Sequence, residues 1–202
     1  MKNKEKIFKN IELGVLIGFI FAVVLSFAGF DSACDNLRSS VLRLHIIANS
    51  DSDADQSVKL IVRDEILKST DVFDNCSDLN SALKEAKSNV DDFKKTAERV
   101  LEENGFDYNV NVRVGDSDFG TRDYDGFSLP AGTYKSLIIT LGEGKGHNWW
   151  CVLFPAVCVP AASNDRLDKS ASQRSTEIAE HKNKYIMDFK IVEWYENIKS
   201  KF

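Results

Sequence analysis

This sequence has no surplus of positive charge. Its 26 lysines and arginines are outnumbered by 31 aspartates and glutamates, so nothing is left over to hold a phosphate backbone, and a general DNA or RNA binder is excluded. Cysteine is scarce. Four in 202 residues cannot staple a disulfide mini-scaffold, and a chain of this length can build a hydrophobic core in one domain without them. Proline occurs three times and no internal repeat is present, while a hydrophobic content of 43% argues against disorder. Local catalytic signatures are missing too: no serine sits in a nucleophile elbow, no Asp-Thr/Ser-Gly triplet occurs, and no histidine pair has zinc spacing. Carboxylates that cleave glycosidic bonds carry no local signature, so a hydrolase stays open as a class, but no residue pattern argues for one.

What the sequence does have begins at its N-terminus. Lys2, Lys4, Lys6 and Lys9 precede an uncharged stretch from Leu13 to Phe30. Its length falls between the roughly 7–15 apolar residues of a cleavable signal and the roughly 20 of a spanning helix. Ser26-Phe27-Ala28 offers small residues where a signal peptidase reads, which favours cleavage; Glu12 and the long run also suit a retained anchor. Either way the lysines hold the N-terminus in the cytoplasm and place residues 31–202 outside it. Cys34, after Asp31-Ser32-Ala33, makes a poor lipoprotein acylation site because Asp31 stands where an aliphatic residue is needed. Removing residues 1–28 takes away four lysines and two glutamates and leaves a net charge of −7. The expected division is a signal peptide or membrane anchor over 1–30, an exported domain over 31–160, and a polar linker with a C-terminal helix over 161–202.

Alternation at Val41 to Ala48 predicts a half-buried strand, with Leu42, Leu44 and Ile46 on one face and Arg43 and His45 on the other. Ser52 followed by Asp55 is cap chemistry, opening a helix from about 53 to 69 with the stripe Val58, Ile61, Val62 and Ile66. Apolar residues at Leu79, Leu83, Ala86, Val90, Phe93, Ala97 and Val100 predict one further helix, ended by Asn104-Gly105. A strand from 106 to 114 follows, then an irregular surface loop over 115–126, and strands over 133–141 and 147–154 that should pair as a hairpin around Gly142–Gly146. Thr176 to Lys201 places Ile178, Tyr185, Phe189, Val192 and Tyr195 at helical spacing. The fold class expected is α+β: a roughly four-stranded sheet covered by the two helices of the N-terminal half, plus a C-terminal amphipathic helix.

Few residues then invite a chemical role. Asp51, Asp53 and Asp55 resemble the start of a calcium loop, but Gln56 stands where glycine is needed and Val62 where a bidentate glutamate is needed, so capping explains them better. Lys145 among Gly142, Gly144 and Gly146 fits no phosphate-binding pattern, because a strand follows it where a helix N-terminus is required. His147, Cys151 and Cys158, with His45, space poorly as zinc ligands. In an exported protein a Cys151–Cys158 disulfide is the better reading, Pro155 turning the chain to bring them together; buried free thiols remain the alternative. Trp149 and Trp150 on one strand point to opposite faces, one into the core, the other under the C-terminal helix or out towards a partner.

Two stretches are distinctive together. One is Leu42-Arg-Leu-His-Ile-Ile-Ala-Asn-Ser-Asp51, running through Asp55-Gln56 to Val62-Arg63-Asp64. The other is Leu129-Pro-Ala-Gly-Thr-Tyr134, running through Gly142-Glu-Gly-Lys-Gly-His-Asn-Trp-Trp-Cys151 to Phe154-Pro155 and Cys158. They resemble the stage II sporulation protein R family over about residues 41–158. The resemblance implies an exported signalling protein without catalytic residues or cofactor. Such a protein acts between the forespore and mother-cell membranes, where it activates a membrane-embedded protease that processes a sigma-factor precursor, pro-sigma-E. Under it the partner-binding surface expected from residue type is Arg43, His45, Asn49, Asp51, Lys145, Asn148, Trp149 and Trp150. An envelope hydrolase with a carboxylate pair and a disulfide-held structural module are the competing classes.

Overall fold

The computed structural model describes residues 2–124, 127–155, 172–181 and 184–199. Helix α1 (Lys2–Arg38) leads into strand β1 (Leu42–Ile47), helix α2 (Asp53–Lys68), a 3-10 turn at Thr70–Phe73, and helices α3 (Leu79–Ser88) and α4 (Val90–Glu103). Strands β2 (Val110–Phe119), β3 (Arg122–Tyr124), β4 (Phe127–Leu129), β5 (Gly132–Leu141) and β6 (Asn148–Phe154) follow, then helices α5 (Gln173–Glu180) and α6 (Ile186–Lys199). The architecture is α+β, with a four-stranded sheet in the order β2-β5-β1-β6.

The front of that sheet is an ordinary hydrophobic core. Leu42, Leu44 and Ile46 of β1, Leu137, Ile139 and Leu141 of β5, and Cys151 and Leu153 of β6 meet Val58, Val62 and Ile66 of α2 and Phe93, Ala97 and Val100 of α4. The caps work as the sequence suggests: Ser52 accepts from Asp55 N, and Asp78 and Ser81 form a capping box at α3. The apolar stripe from Leu79 to Val100 is continuous, but the helix is not. It breaks at Asn89, whose side-chain amide donates to the Glu85 carbonyl at 2.8 Å and so competes for the backbone acceptor at the end of α3.

The strand pairing departs from expectation. β5 and β6 are not a hairpin, because β1 lies between them, parallel to β5 and antiparallel to β6. Both faces of β1 are covered, and a strand buried on both sides belongs in the middle of a sheet. The segment after β5 must therefore cross the end of β1, and Lys145 N and Gly146 N donate to the carbonyls of Asn49 and Ala48 as it does so. β5 pairs instead with β2, in an unbroken antiparallel register from Val110–Leu141 to Phe119–Gly132. Thus the strand expected over 106–114 is shifted to 110–119, and part of the expected loop is ladder. The short β3–β4 hairpin, Arg122 opposite Leu129, occupies most of the remainder.

Helix α1 changes character along its length. Ile11 to Leu25 is exposed apolar surface, and the helix is long and apolar enough to cross a membrane. From Phe30 the same helix is buried with Ala33, Cys34 and Leu37. The residue-30 boundary expected from sequence therefore falls inside one helix. The expected single C-terminal helix is two, α5 and α6, and they dock on this second half: Phe30 meets Phe189 edge-on at 5.5 Å and Tyr185 at 5.7 Å. Arg38 closes the junction by donating from Nε and Nη2 to the Ala131 carbonyl at 3.0 and 2.8 Å. Gly132 follows with φ +141°, where any side chain would overlap the Arg38 guanidinium.

Candidate functional site

Seven of the eight residues expected to form a contact surface fall into two clusters, and the eighth, Trp149, packs on the front of the sheet. The first is a clasp at the end of β1. Asn49 Oδ1 accepts from Glu143 N at 2.9 Å, and Asp51 Oδ1 accepts from both His147 N and His147 Nδ1 at 2.5 Å. Lys59 Nζ reaches the His147 carbonyl at 2.9 Å, and Gln56 Nε2 reaches the Ser50 carbonyl at 2.9 Å. Gly142, at φ +57°, leaves room for the Asn49 amide, and Gly146 leaves room for the Ser50 carbonyl; a Cβ at either would overlap those atoms. The two distinctive stretches of sequence thus hold each other.

Asp55 anchors the clasp from beneath. Buried at the start of α2, it accepts from Ser50 Oγ at 2.6 Å, Tyr108 OH at 2.8 Å and Asn49 Nδ2 at 3.0 Å. Burial alone would raise its pKa; the hydrogen bonds from Ser50, Tyr108, Asn49 and Ser52 together outweigh that and hold it below the usual carboxylate value. Its acceptor capacity is used by these donors, and among the described residues no three His, Cys, Asp or Glu side chains converge as a metal group. The outer rim is exposed: Asp51, Lys145, His147 and Asn148 face solvent, with Lys145 paired to Glu143 at 2.6 Å. The backbone hydrogen bond from His147 lowers the Asp51 pKa, and the Glu143 contact raises that of Lys145.

The second cluster covers the back of the sheet. Arg43 is fully buried, where the sequence suggested a wet face. Its guanidinium lies 3.7 Å from the Phe119 ring centroid and 4.8 Å from that of Tyr134, and Nη2 donates to Tyr124 OH. Burial pushes the Arg43 pKa down, against the tyrosines, which raise it. His45, half-buried beside it, meets Ser117 Oγ at 2.8 Å. Burial, then the charges of Arg113 and Arg43, lower its pKa against an opposing contact from Asn148.

The adjacent tryptophans do point to opposite faces. Trp149 packs on the front core under the Arg63 guanidinium at 4.4 Å, and Trp150 lies on the back under Arg122 at 4.0 Å. Arg122 of β3, not a C-terminal helix, is what lies over Trp150. Sequence reasoning missed Phe119, Arg122, Tyr124 and Tyr134 in this cluster. Phe119 and Tyr124 inside an otherwise polar stretch were the available signal. Cys151 is disulfide-bonded, Cys34 and Cys76 are free thiols, and Cys158 lies outside the described residues.

Compared with known proteins, residues 38–164 match the family model described as stage II sporulation protein R. The curated stage II sporulation protein R of Bacillus subtilis (strain 168) is 37% identical over 147 residues, covering 70% of this chain and 66% of that relative. The chain thus spans just under two thirds of the length of that relative. No solved structure matches. The family match takes in both clusters and the β3–β4 hairpin; it stops short of α5 and α6.

Proposed function

The chain belongs to the stage II sporulation protein R family, and from that premise we propose that it is an exported signal that activates a membrane-embedded protease, which then cuts the precursor of a mother-cell sigma factor, pro-sigma-E. It does so as a ligand. By binding the active state of its partner better than the inactive one, it shifts that partner's equilibrium without catalysing a reaction.

The observation that carries this reading is the clasp. Asn49 to Asp51 and Gly142 to His147, distant in sequence, are fixed together by backbone and side-chain hydrogen bonds and hold Asp51, Lys145 and Asn148 outward. A rim fixed before binding loses little conformational entropy on contact. The α1 helix supports the location. Its exposed apolar half suits an export signal or an anchor, and cleavage after Ala28 would leave Phe30 to Arg38 in place to hold α5 and α6. Under this reading the exported part works in the space between forespore and mother cell, released or tethered.

The test is processing of the sigma-factor precursor in sporulating cells, followed by immunoblot. Lys145→Ala and His45→Ala should abolish processing while export and thermal stability persist. If these variants process normally but a single Asp→Asn or Glu→Gln change abolishes it, the ligand reading fails and an envelope hydrolase takes its place.

A further inference from the structure

The described arginine side chains divide by location. Arg38, Arg63 and Arg99 pair with Asp35, Asp64 and Glu103 at 2.6, 2.7 and 3.0 Å. Arg43, Arg113 and Arg122, from three strands around the back of the sheet, form no ion pair among the described residues, although the chain has more acids than bases. Most buried N–H donors left over point to the same place; Trp149 Nε1, on the front, does not. Eight buried side-chain polar atoms lack a hydrogen-bond partner among the described residues, and four of them are Arg43 Nε and Nη1, Arg122 Nε and Trp150 Nε1. All four are N–H donors.

A structural account exists for the Arg43 charge but not for its edges. The rings of Phe119 and Tyr134 meet the guanidinium by cation–π attraction, which leaves N–H groups in the guanidinium plane available. A buried donor without an acceptor is costly, and here two cations and an indole share that condition: Phe119 lies 3.7 Å from Arg43 and 6.4 Å from Trp150, and Arg122 lies 4.0 Å over Trp150.

We propose that the back of the sheet is a carboxylate-binding site, in which Arg43 and Arg122 hold one carboxylate of a protein partner and Trp150 forms its apolar wall. A singly charged, planar anion fits better than phosphate, because a second negative charge would add desolvation cost in a site walled by aromatic rings. Arg122 and Trp150 are half-buried and form the entrance; Arg43 lies behind the half-buried Tyr124, and the carboxylate reaches it when the Tyr124 side chain turns aside and gives up its place on Nη2. The hairpin backbone stays in place, because Phe127 and Leu129 are buried with Leu37, Val41 and Ala179. The site's role as the partner's anchor rests on the ligand reading above. The binding itself does not.

The test uses the full chain in nonionic detergent, titrated by calorimetry and by tryptophan fluorescence. The probes are N-acetyl-leucine, which presents a chain-terminal carboxylate, N-acetyl-glutamic acid α-amide, which presents a side-chain one, N-acetyl-leucinamide and inorganic phosphate. At least one carboxylate probe should bind saturably in the millimolar range expected of so small a ligand, and the better of the two identifies the source. N-acetyl-leucinamide should not bind, and phosphate should bind more weakly. Arg122→Gln should weaken the carboxylate by about tenfold or more through loss of a charge-assisted contact, while Lys95→Gln, on the exposed face of α4, leaves it unchanged. Equal binding of the amide or of phosphate, no saturable carboxylate binding, or an unaltered Arg122→Gln would overturn the site. Normal precursor processing by an Arg122→Gln variant that has lost carboxylate binding would count against the signalling role alone.

Discussion

The two faces of the sheet are built by different rules. The front is apolar and covered by three amphipathic helices, α2 to α4, whose stripes match it residue for residue. The back alternates Arg43 and His45 on β1, Ser117 and Phe119 on β2, and Tyr134 and Ser136 on β5, under the short β3–β4 hairpin and the docked ends of α1 and α5. The front holds the fold together, whereas the back spends stability on a buried cation and on most of the N–H donors that lack a partner among the described residues. A protein departs from its packing rules in this way where a site has to be kept.

If that division is right, the largest losses of stability come from the front. Leu137→Ala, which empties a fully buried position between β1 and β2, should cost about 2–5 kcal/mol in denaturant unfolding. A loss below that range would mean the front is looser than its burial indicates. The disulfide of Cys151 comes next. Its expected partner is Cys158, and closing a loop of about eight residues stabilises by roughly 2–3 kcal/mol on the chain-entropy model. Peptide mapping without reductant identifies the pair, and unfolding with and without reductant gives the magnitude. A different partner would relocate the constraint on β6.

Asp55 sharpens the contrast from the clasp side, since its charge is matched by donors, whereas Arg43 and Arg122 face no carboxylate among the described residues. Asp55→Asn should destabilise by about 1–3 kcal/mol, because the amide turns one acceptor into a donor facing donors. The pH dependence has a definite sign. The folded-state pKa of Asp55 is depressed, so its contribution is present above the unfolded value near 4 and is lost as pH falls through the folded value. Wild-type stability should therefore fall more steeply on acidification than that of the variant, measured by urea unfolding at a series of pH values. Parallel profiles would show that the carboxylate is not the group that holds the clasp.

The same contrast explains what the sequence made legible. The front could be read, because burial by amphipathic helices leaves a periodic trace: Leu42-Leu44-Ile46 and the stripe from Leu79 to Val100 both appear in place. The clasp was half legible; Ser52 and Asp55 read as a cap, but the hydrogen bonds to Asp55 from Tyr108 and Asn49 come from tertiary neighbours. The back was misread, since alternation reports polarity and not coverage. Arg43 and His45 look like solvent residues until Phe119, Tyr124 and Tyr134 close over them. Arg113, Gly115 and Ser117 hid the continuation of β2 for the same reason. The position of β1 between β5 and β6 had no local trace, because a parallel pairing joins segments about ninety residues apart, and the glycines at 142 to 146 looked like a tight turn between neighbours.

The smallest expected effect on stability is the most discriminating. Arg43→Met keeps the length and bulk of the side chain among Phe119, Tyr124 and Tyr134 and removes only its charge and donors. Withdrawing a cation from water costs several kcal/mol, against which aromatic contacts return about 0.5–2 kcal/mol each and the single hydrogen bond to Tyr124 about 1.5–3 kcal/mol. These terms nearly cancel, so the variant should unfold within about 1 kcal/mol of wild type, on either side. Arg43→Ala, by contrast, adds a cavity and should cost about 3–5 kcal/mol. If Arg43 served the fold alone, Arg43→Met would also keep carboxylate binding and precursor processing. If the back of the sheet is the site, Arg43→Met retains the fold and loses both, which separates the two faces in one substitution.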